Sequence, residues 1–174
     1  MKKIILTAII AIATLTGVNA QHYRWWVGGR TSLWNGEYKT SFTVAPEAGY
    51  QITPQLTAAT SLALEAYRFA YEGNINSSTS VGLIFNPYMR YTFFKTGILM
   101  GFVDGGFEVG LGDYDGLQIG FKPGLAMILS NRFTAAFQFG FIGYNDGKDI
   151  GGRDKGFGFD LSGYRSAFAI FYSF

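Results

Sequence analysis

The feature that most constrains this chain is a two-residue alternation with unlike faces. In RFTAAFQFGFIGY, residues 132–144, Phe133, Ala135, Phe137, Phe139 and Phe141 share one side of an extended chain. Arg132, Thr134, Ala136, Gln138 and Gly140 share the other. Successive side chains of a strand point to opposite faces, so this period marks a strand with different surroundings on its two sides. GLQIGFKPGLAMIL (116–129) sets Leu117, Ile119, Phe121, Leu125, Met127 and Leu129 against Gln118, Gly120, Lys122, Gly124 and Ala126. SVGLIFNPYMRYTFF (80–94) sets Val81, Leu83, Phe85, Met89, Tyr91 and Phe93 against Ser80, Gly82, Asn86, Arg90 and Thr92. The last ten residues, RSAFAIFYSF, repeat the pattern with Phe168, Ile170, Tyr172 and Phe174 on one face. Weaker alternation over 25–34, 41–52, 56–69 and 97–111 brings the expected strands to eight.

The charges decide what the faces mean. Arg30, Glu47, Glu65, Arg90, Asp104, Glu108, Lys122 and Arg165 all fall within strands on the small, polar face, four of each sign. A soluble sandwich exposes that face and buries the aromatic one. A membrane-spanning barrel does the reverse, with aromatics in lipid and charges in the lumen. One Arg or Lys on the lipid face near the midplane costs roughly 2–4 kcal/mol. Eight misplaced charges would exceed the stability of a whole domain. The bulk of the apolar face and the Gly, Ala, Ser and Thr of the other favour a narrow, filled interior.

The connections agree. TPQ (53–55), KTG (95–97) and SNR (130–132) are short, whereas NGEYK (35–39), YEGNINSST (71–79), GDYDG (112–116) and NDGKDIGGRDKG (145–156) are longer and polar. Short turns at one end and long loops at the other are an outer-membrane trait. The expected fold is therefore all-β, an eight-stranded antiparallel up-and-down transmembrane β-barrel. Three details strain it. Arg68 and Asp160 have the parity of the lipid face and are expected beyond the hydrocarbon at the long-loop end. Pro46, Pro87 and Pro123 sit inside strands, where a missing N–H interrupts a ladder, and predict a repeated bulge or kink.

The front of the chain reads as an export signal. Lys2 and Lys3 precede an apolar run from Ile4 to Leu15, and Val18-Asn19-Ala20 offers small residues for cleavage. Residues 1–20 are expected to be removed, leaving 21–174 as a single barrel domain. The run is shorter than the roughly 20 residues of a spanning helix. The chain holds 14 Lys+Arg and 12 Asp+Glu, so loss of Lys2 and Lys3 leaves a formally neutral domain. A basic balance pointing to nucleic acid is thereby removed.

Little reactive chemistry is on offer. There is no Cys and a single histidine, His22, near the start of the domain, so no catalytic residue, cofactor or metal site is expected. Asp146, Asp149 and Asp154 interleave with Lys148, Arg153 and Lys155 and lack the spacing of a calcium loop. GLGDYDG (110–116) begins like a dinucleotide loop, but Asp115 replaces the third glycine and no helix follows. Trp25 and Trp26 are expected at the inner membrane interface and Trp34 at the outer one, where Trp and Tyr collect. Tyr71, Tyr114 and Tyr144 are candidates for an adhesive loop surface.

The signal segment, the eight alternating strands, FKPGLAMILSNRFTAAFQFGFIGY and the terminal aromatic together resemble the small outer-membrane β-barrel family of Gram-negative bacteria, the OmpA/OmpX-like and porin-family proteins. The resemblance covers 21–174 and lies in architecture more than in any one motif. It implies integral outer-membrane localisation, lipid as surroundings, a monomer, and recognition by the barrel-assembly machinery through Phe174, with Tyr172 and Ile170 continuing the signal. The function expected is non-enzymatic, structural or interactive through the loops, with a filled, charge-compensated lumen. Two alternatives stay open: a small porin for ions or solutes, and a soluble secreted barrel with an inward Phe face and an apolar ligand.

Overall fold

A computed structural model describes residues 24–35, 39–69, 79–112, 114–148, 155–161 and 166–174, with side chains at all of these but 34, 35, 39, 67–69, 79 and 80. Its strands are β1 (Trp25–Asn35), β2 (Lys39–Gln51), β3 (Leu56–Phe69), β4 (Thr79–Thr96), β5 (Leu99–Leu111), β6 (Leu117–Ile128), β7 (Phe133–Gln138), β8 (Phe141–Asn145), β9 (Gly156–Asp160) and β10 (Ala167–Ser173). β7 and β8 both pair with β6 and form one interrupted stave; β9 and β10 form the next, paired to β8 and β7. β10 pairs with β1 and β5 with β6, so the antiparallel sheet closes on itself as an eight-stranded up-and-down barrel. Closure removes the free edge along β1–β10, while β9 pairs with β8 alone. The final residue is tied in, its amide donating to the Trp25 carbonyl at 2.9 Å.

The aromatic face is outside. Leu33, Val81, Phe93, Phe121 and Phe168 are all exposed, whereas Glu47, Ser61, Glu65, Asn86, Asp104, Gln118 and Gln138 are buried in the lumen. The inward Phe face that a soluble apolar-ligand barrel requires is therefore not the arrangement found. At the tight-turn end, aromatics gather on the outer wall: Trp25 lies 4.8 Å from Tyr50, Phe133 meets Tyr172 at a tilt, and Tyr172 stacks with Phe174. Arg132 donates to the Tyr172 hydroxyl at 2.6 Å.

The tight turns have local causes. Thr53 Oγ1 accepts the Leu56 amide, and Ser130 Oγ accepts the Phe133 amide, side-chain turns of the kind these residues favour. Gly97, with φ of 56°, makes the third turn. At the opposite end the β1–β2 connection is only the three residues 36–38, so the length asymmetry rests chiefly on 70–78 and 146–155.

The prolines interrupt pairing without shifting it. The β2–β3 ladder lapses beside Pro46 and the β4–β5 ladder beside Pro87, yet the register is the same on both sides of each. The expected repeated bulge is thus absent at these two prolines; a lost N–H costs a rung and nothing more. Register does slip between Thr92 and Phe94, and again opposite Pro123, where Phe139 and Gly140 separate β7 from β8. Gly140 has φ of 71°, and a Cβ there would lie 2.7 Å from the Asp160 carbonyl oxygen, so only glycine fits.

That second slip reverses the parity of the next strand. Phe141, placed by alternation on the outer face, is buried inside, while Ile142 turns outward. Asp160 pairs in register with Phe141 and so lies on the lumenal side, not the lipid side expected from its number. β9 ends at Asp160 and β10 begins at Ala167, an odd number of residues on, yet both residues follow inward register.

Candidate functional site in the barrel lumen

The lumen is filled in two layers. Near the middle, Arg90 grips Asp104 with two parallel hydrogen bonds of 2.7 and 2.8 Å. Such a fork is the strongest arrangement for a guanidinium and a carboxylate. The same Arg90 guanidinium sits 4.0 Å above the Phe102 ring, with Phe171 and Tyr88 at 5.2 and 5.6 Å. Aromatic faces attract cations, and they do so best when desolvated. Phe102 and Phe171 are buried with Ala126, Ala136 and Ala169, and Trp26 and Met100 pack against them. The small alanines on β6, β7 and β10 leave the space those rings occupy.

A chain of polar contacts continues toward the long-loop end. Gln138 donates to Asp104 at 2.8 Å and accepts from Arg30 at 2.6 Å. Arg30 also donates to Glu47 at 2.6 Å, whose second oxygen accepts the Tyr88 hydroxyl at 2.8 Å. Further up, Glu108 accepts Asn86 at 2.9 Å and pairs with Lys122. Three opposite-charge pairs, Arg30–Glu47, Arg90–Asp104 and Lys122–Glu108, therefore lie inside the barrel. Buried charge of this kind persists only when paired and hydrogen-bonded.

The structure thus brings to one interior seven of the eight charges that alternation assigns to the lumen. Glu65 stands apart, accepting the Tyr114 hydroxyl at 3.1 Å and making no ion pair among the described residues. Arg165 lies outside the described residues, as do residues 1–20 and His22. Gln138, Tyr88 and Asn86 carry no charge to single them out, yet they join the pairs into one network. Their inward parity was the available signal.

Two aromatics depart from the interfacial or surface positions expected of them. Trp26 does not sit on the outer rim: its ring lies over Gly49 and 4.5 Å from Phe171, inside the tight-turn end. Tyr114 is not a surface residue of its loop; it is 4 % exposed, lies flat over Gly82 and reaches Glu65. In both cases a glycine on the facing strand leaves room for a ring, a cross-strand relation that a single stretch of sequence does not display. Trp25 is exposed on the outer wall; Trp34 pairs with Ser41 through its backbone, and its side chain lies outside the described set. Ile170 and Phe174 are exposed on that wall too, and Tyr172 stands between them.

Cavities lie on either side of the central layer. One of about 330 Å³ at the tight-turn end is bordered by Trp26, Arg90, Met100 and Phe171. Another of about 120 Å³ toward the long-loop end is bordered by Arg30, Thr43, Ser61, Glu65, Gln118 and Lys122 among others. They share no lining residue. Among the described residues no cluster of His, Asp and Glu has the makings of a metal site. Asp146 is instead engaged locally, accepting the Leu117 and Lys148 amides, and the exposed Asp115 pairs with Lys148. The hydrogen bond from Lys148 holds the Asp115 carboxyl below the usual carboxylate range.

No protein-family model matches the chain, and no curated protein matches it either.

Proposed function

We propose that this chain is a non-enzymatic integral outer-membrane β-barrel of a Gram-negative bacterium. In this reading its lumen is plugged, and it serves a structural or surface-interaction role through its long-loop end. The observation that carries the reading is the inversion of an ordinary protein's polarity. Large apolar side chains cover the outer wall on every stave, and the buried interior holds ion pairs and amides. Soluble monomers rarely expose contiguous apolar patches beyond a few hundred Å². A wall of this kind is stable only where its surroundings are apolar, and closed barrels satisfy every backbone group there. The aromatic ring at the tight-turn end suits a membrane–water boundary. The layer built from Arg90, Asp104, Phe102 and Phe171 supports a plug rather than a pore.

Fractionation of cells expressing the full chain tests the location. The protein is expected to stay in the outer-membrane pellet through high-salt and carbonate washes. Recovery in the soluble fraction without detergent would remove the reading. Purified protein in planar bilayers is expected to give no stepwise conductance, and reproducible steps would replace the plug with a small porin.

A further inference from the structure

The cavity toward the long-loop end is unevenly satisfied. Arg30 commits Nε to Glu47 and Nη1 to Gln138, but its buried Nη2 has no partner among the described residues. Gln118, 2 % exposed on β6, has no partner for Nε2 among the described residues either. Both residues line the cavity. On the β3 side stands Glu65, 6 % exposed, whose hydrogen bond among the described residues comes from the neutral Tyr114 hydroxyl. Ser41, Thr43 and Ser61 add hydroxyls that donate or accept as required. A buried donor left unmatched costs about 1–3 kcal/mol, and a charged group more, so this arrangement favours a guest that completes it.

The charges select the guest. Two cations, Arg30 and Lys122, and two carboxylates, Glu65 and Glu108, border the space. An anion would gain from Arg30 and Gln118 but meet Glu65. A cation would gain from Glu65 but leave the two donors unmatched. A neutral polyol leaves Glu65 without a counter-charge among the described residues. Only a molecule carrying both signs answers every wall. At about 120 Å³ the space is roughly ten times the minimum for one water, enough for a few heavy atoms.

We propose that this cavity binds a small zwitterion of the α-amino-acid type, its carboxylate accepting from Arg30 Nη2 and Gln118 Nε2 and its ammonium facing Glu65. The site goes beyond the plugged-barrel reading and stands on the lumen's own geometry, wherever the outer wall resides. It makes the outer half of the lumen a blind cup for a solute, closed below by Tyr88 and the Arg90–Asp104 pair.

The test uses the folded full chain in detergent, titrated by calorimetry and ligand-observed NMR with glycine, acetate, methylammonium and glycerol. Folding is checked for each variant by the shift in migration between unheated and heated samples. Glycine is expected to bind saturably, with acetate, methylammonium and glycerol each weaker by about tenfold or more, the share of one charge-assisted hydrogen bond. Glu65→Gln is expected to abolish the preference for glycine over acetate, weakening glycine and strengthening acetate, which no longer meets a carboxylate. Gln118→Met, close in shape, is expected to weaken both. The proposal falls if glycine shows no preference over acetate and glycerol, the behaviour of a merely hydrated cavity. It falls equally if folded Glu65→Gln binds glycine as the parent does. Should Glu65→Gln fail to fold, the probe series on the parent and Gln118→Met decide by the same criteria.

Discussion

The two halves of the lumen solve one problem in different ways. Below Tyr88, space is closed by aromatic rings over a forked ion pair, with Arg90 held between Asp104 and the face of Phe102. Above it, the wall is lined by hydroxyls and amides, and a cavity persists among groups that are not all matched. The balance of charge is similar in the two, so charge compensation alone does not fill a barrel. What differs is side-chain volume: Phe102, Phe171 and Trp26 in one half, Ser41, Thr43 and Ser61 in the other. The inner half is shut at one aromatic layer, with a cavity of about 330 Å³ beyond it at the tight-turn end, whereas the outer half keeps about 120 Å³ among polar walls.

That contrast is open to attack by substitution. Asp104→Ala is expected to have the largest effect, because it leaves Arg90 buried without a counter-charge and deprives Gln138 of its acceptor. Breaking a buried pair from one side costs about 3–5 kcal/mol. Urea unfolding in detergent or lipid should show the midpoint falling accordingly, and a midpoint within error of the parent would mean the fork contributes nothing. Phe102→Ala removes the ring beneath Arg90 and is expected to cost about 3 kcal/mol or more. It should also admit ion flow in planar bilayers where the parent has none; a silent variant would place the seal elsewhere.

The outer half should be more forgiving. Lys122 and Glu108 keep 21 % and 15 % of their side-chain surface exposed, and Asn86 also serves Glu108. Glu108→Gln retains the acceptor for Asn86 and is expected to lower stability by about 1 kcal/mol. A loss as large as that of Asp104→Ala would erase the distinction between the halves. The smallest effect is expected at the exposed Lys148–Asp115 pair across the loops. Its carboxyl is depressed in the fold, so its contribution exists above the unfolded carboxylate range and fades as pH falls through the folded value. Lys148→Met is expected to leave the unfolding midpoint unchanged at neutral pH, as solvent screening predicts for exposed pairs.

Much of this was legible in the alternation, and its failures have a common cause. Phe121, Tyr91 and Phe168 lie outward and Arg90, Lys122 and Glu47 inward, since each sits in an unbroken stretch whose parity carries through. Phe141 and Asp160 depart from the alternation because parity is local, and the slip at Phe139–Gly140 and the odd step from Asp160 to Ala167 reset it. Gly140 between two phenylalanines was the visible hint. Trp26 and Tyr114 failed for another reason: their inward burial depends on Gly49 and Gly82, which lie on other strands. The ion pairs needed register as well, for the sequence offered four charges of each sign and many ways to match them. Which carboxylate takes which cation follows from Arg30 pairing across to Glu47 on β2 and Arg90 facing Asp104 on β5.

The central claim is that the aromatic face meets lipid and the charged face does not. The chain has no cysteine, so single labels can be placed cleanly. Phe121→Cys on the outer wall and Thr43→Cys beside the lumenal cavity would each carry a nitroxide in protein reconstituted into liposomes. The account predicts that the label at 121 relaxes with oxygen, which concentrates in the bilayer, and is shielded from a water-soluble nickel chelate. The label at 43 should show no such preference for oxygen. Equal access of nickel to the label at 121, or a lipid-like response at 43, would contradict it.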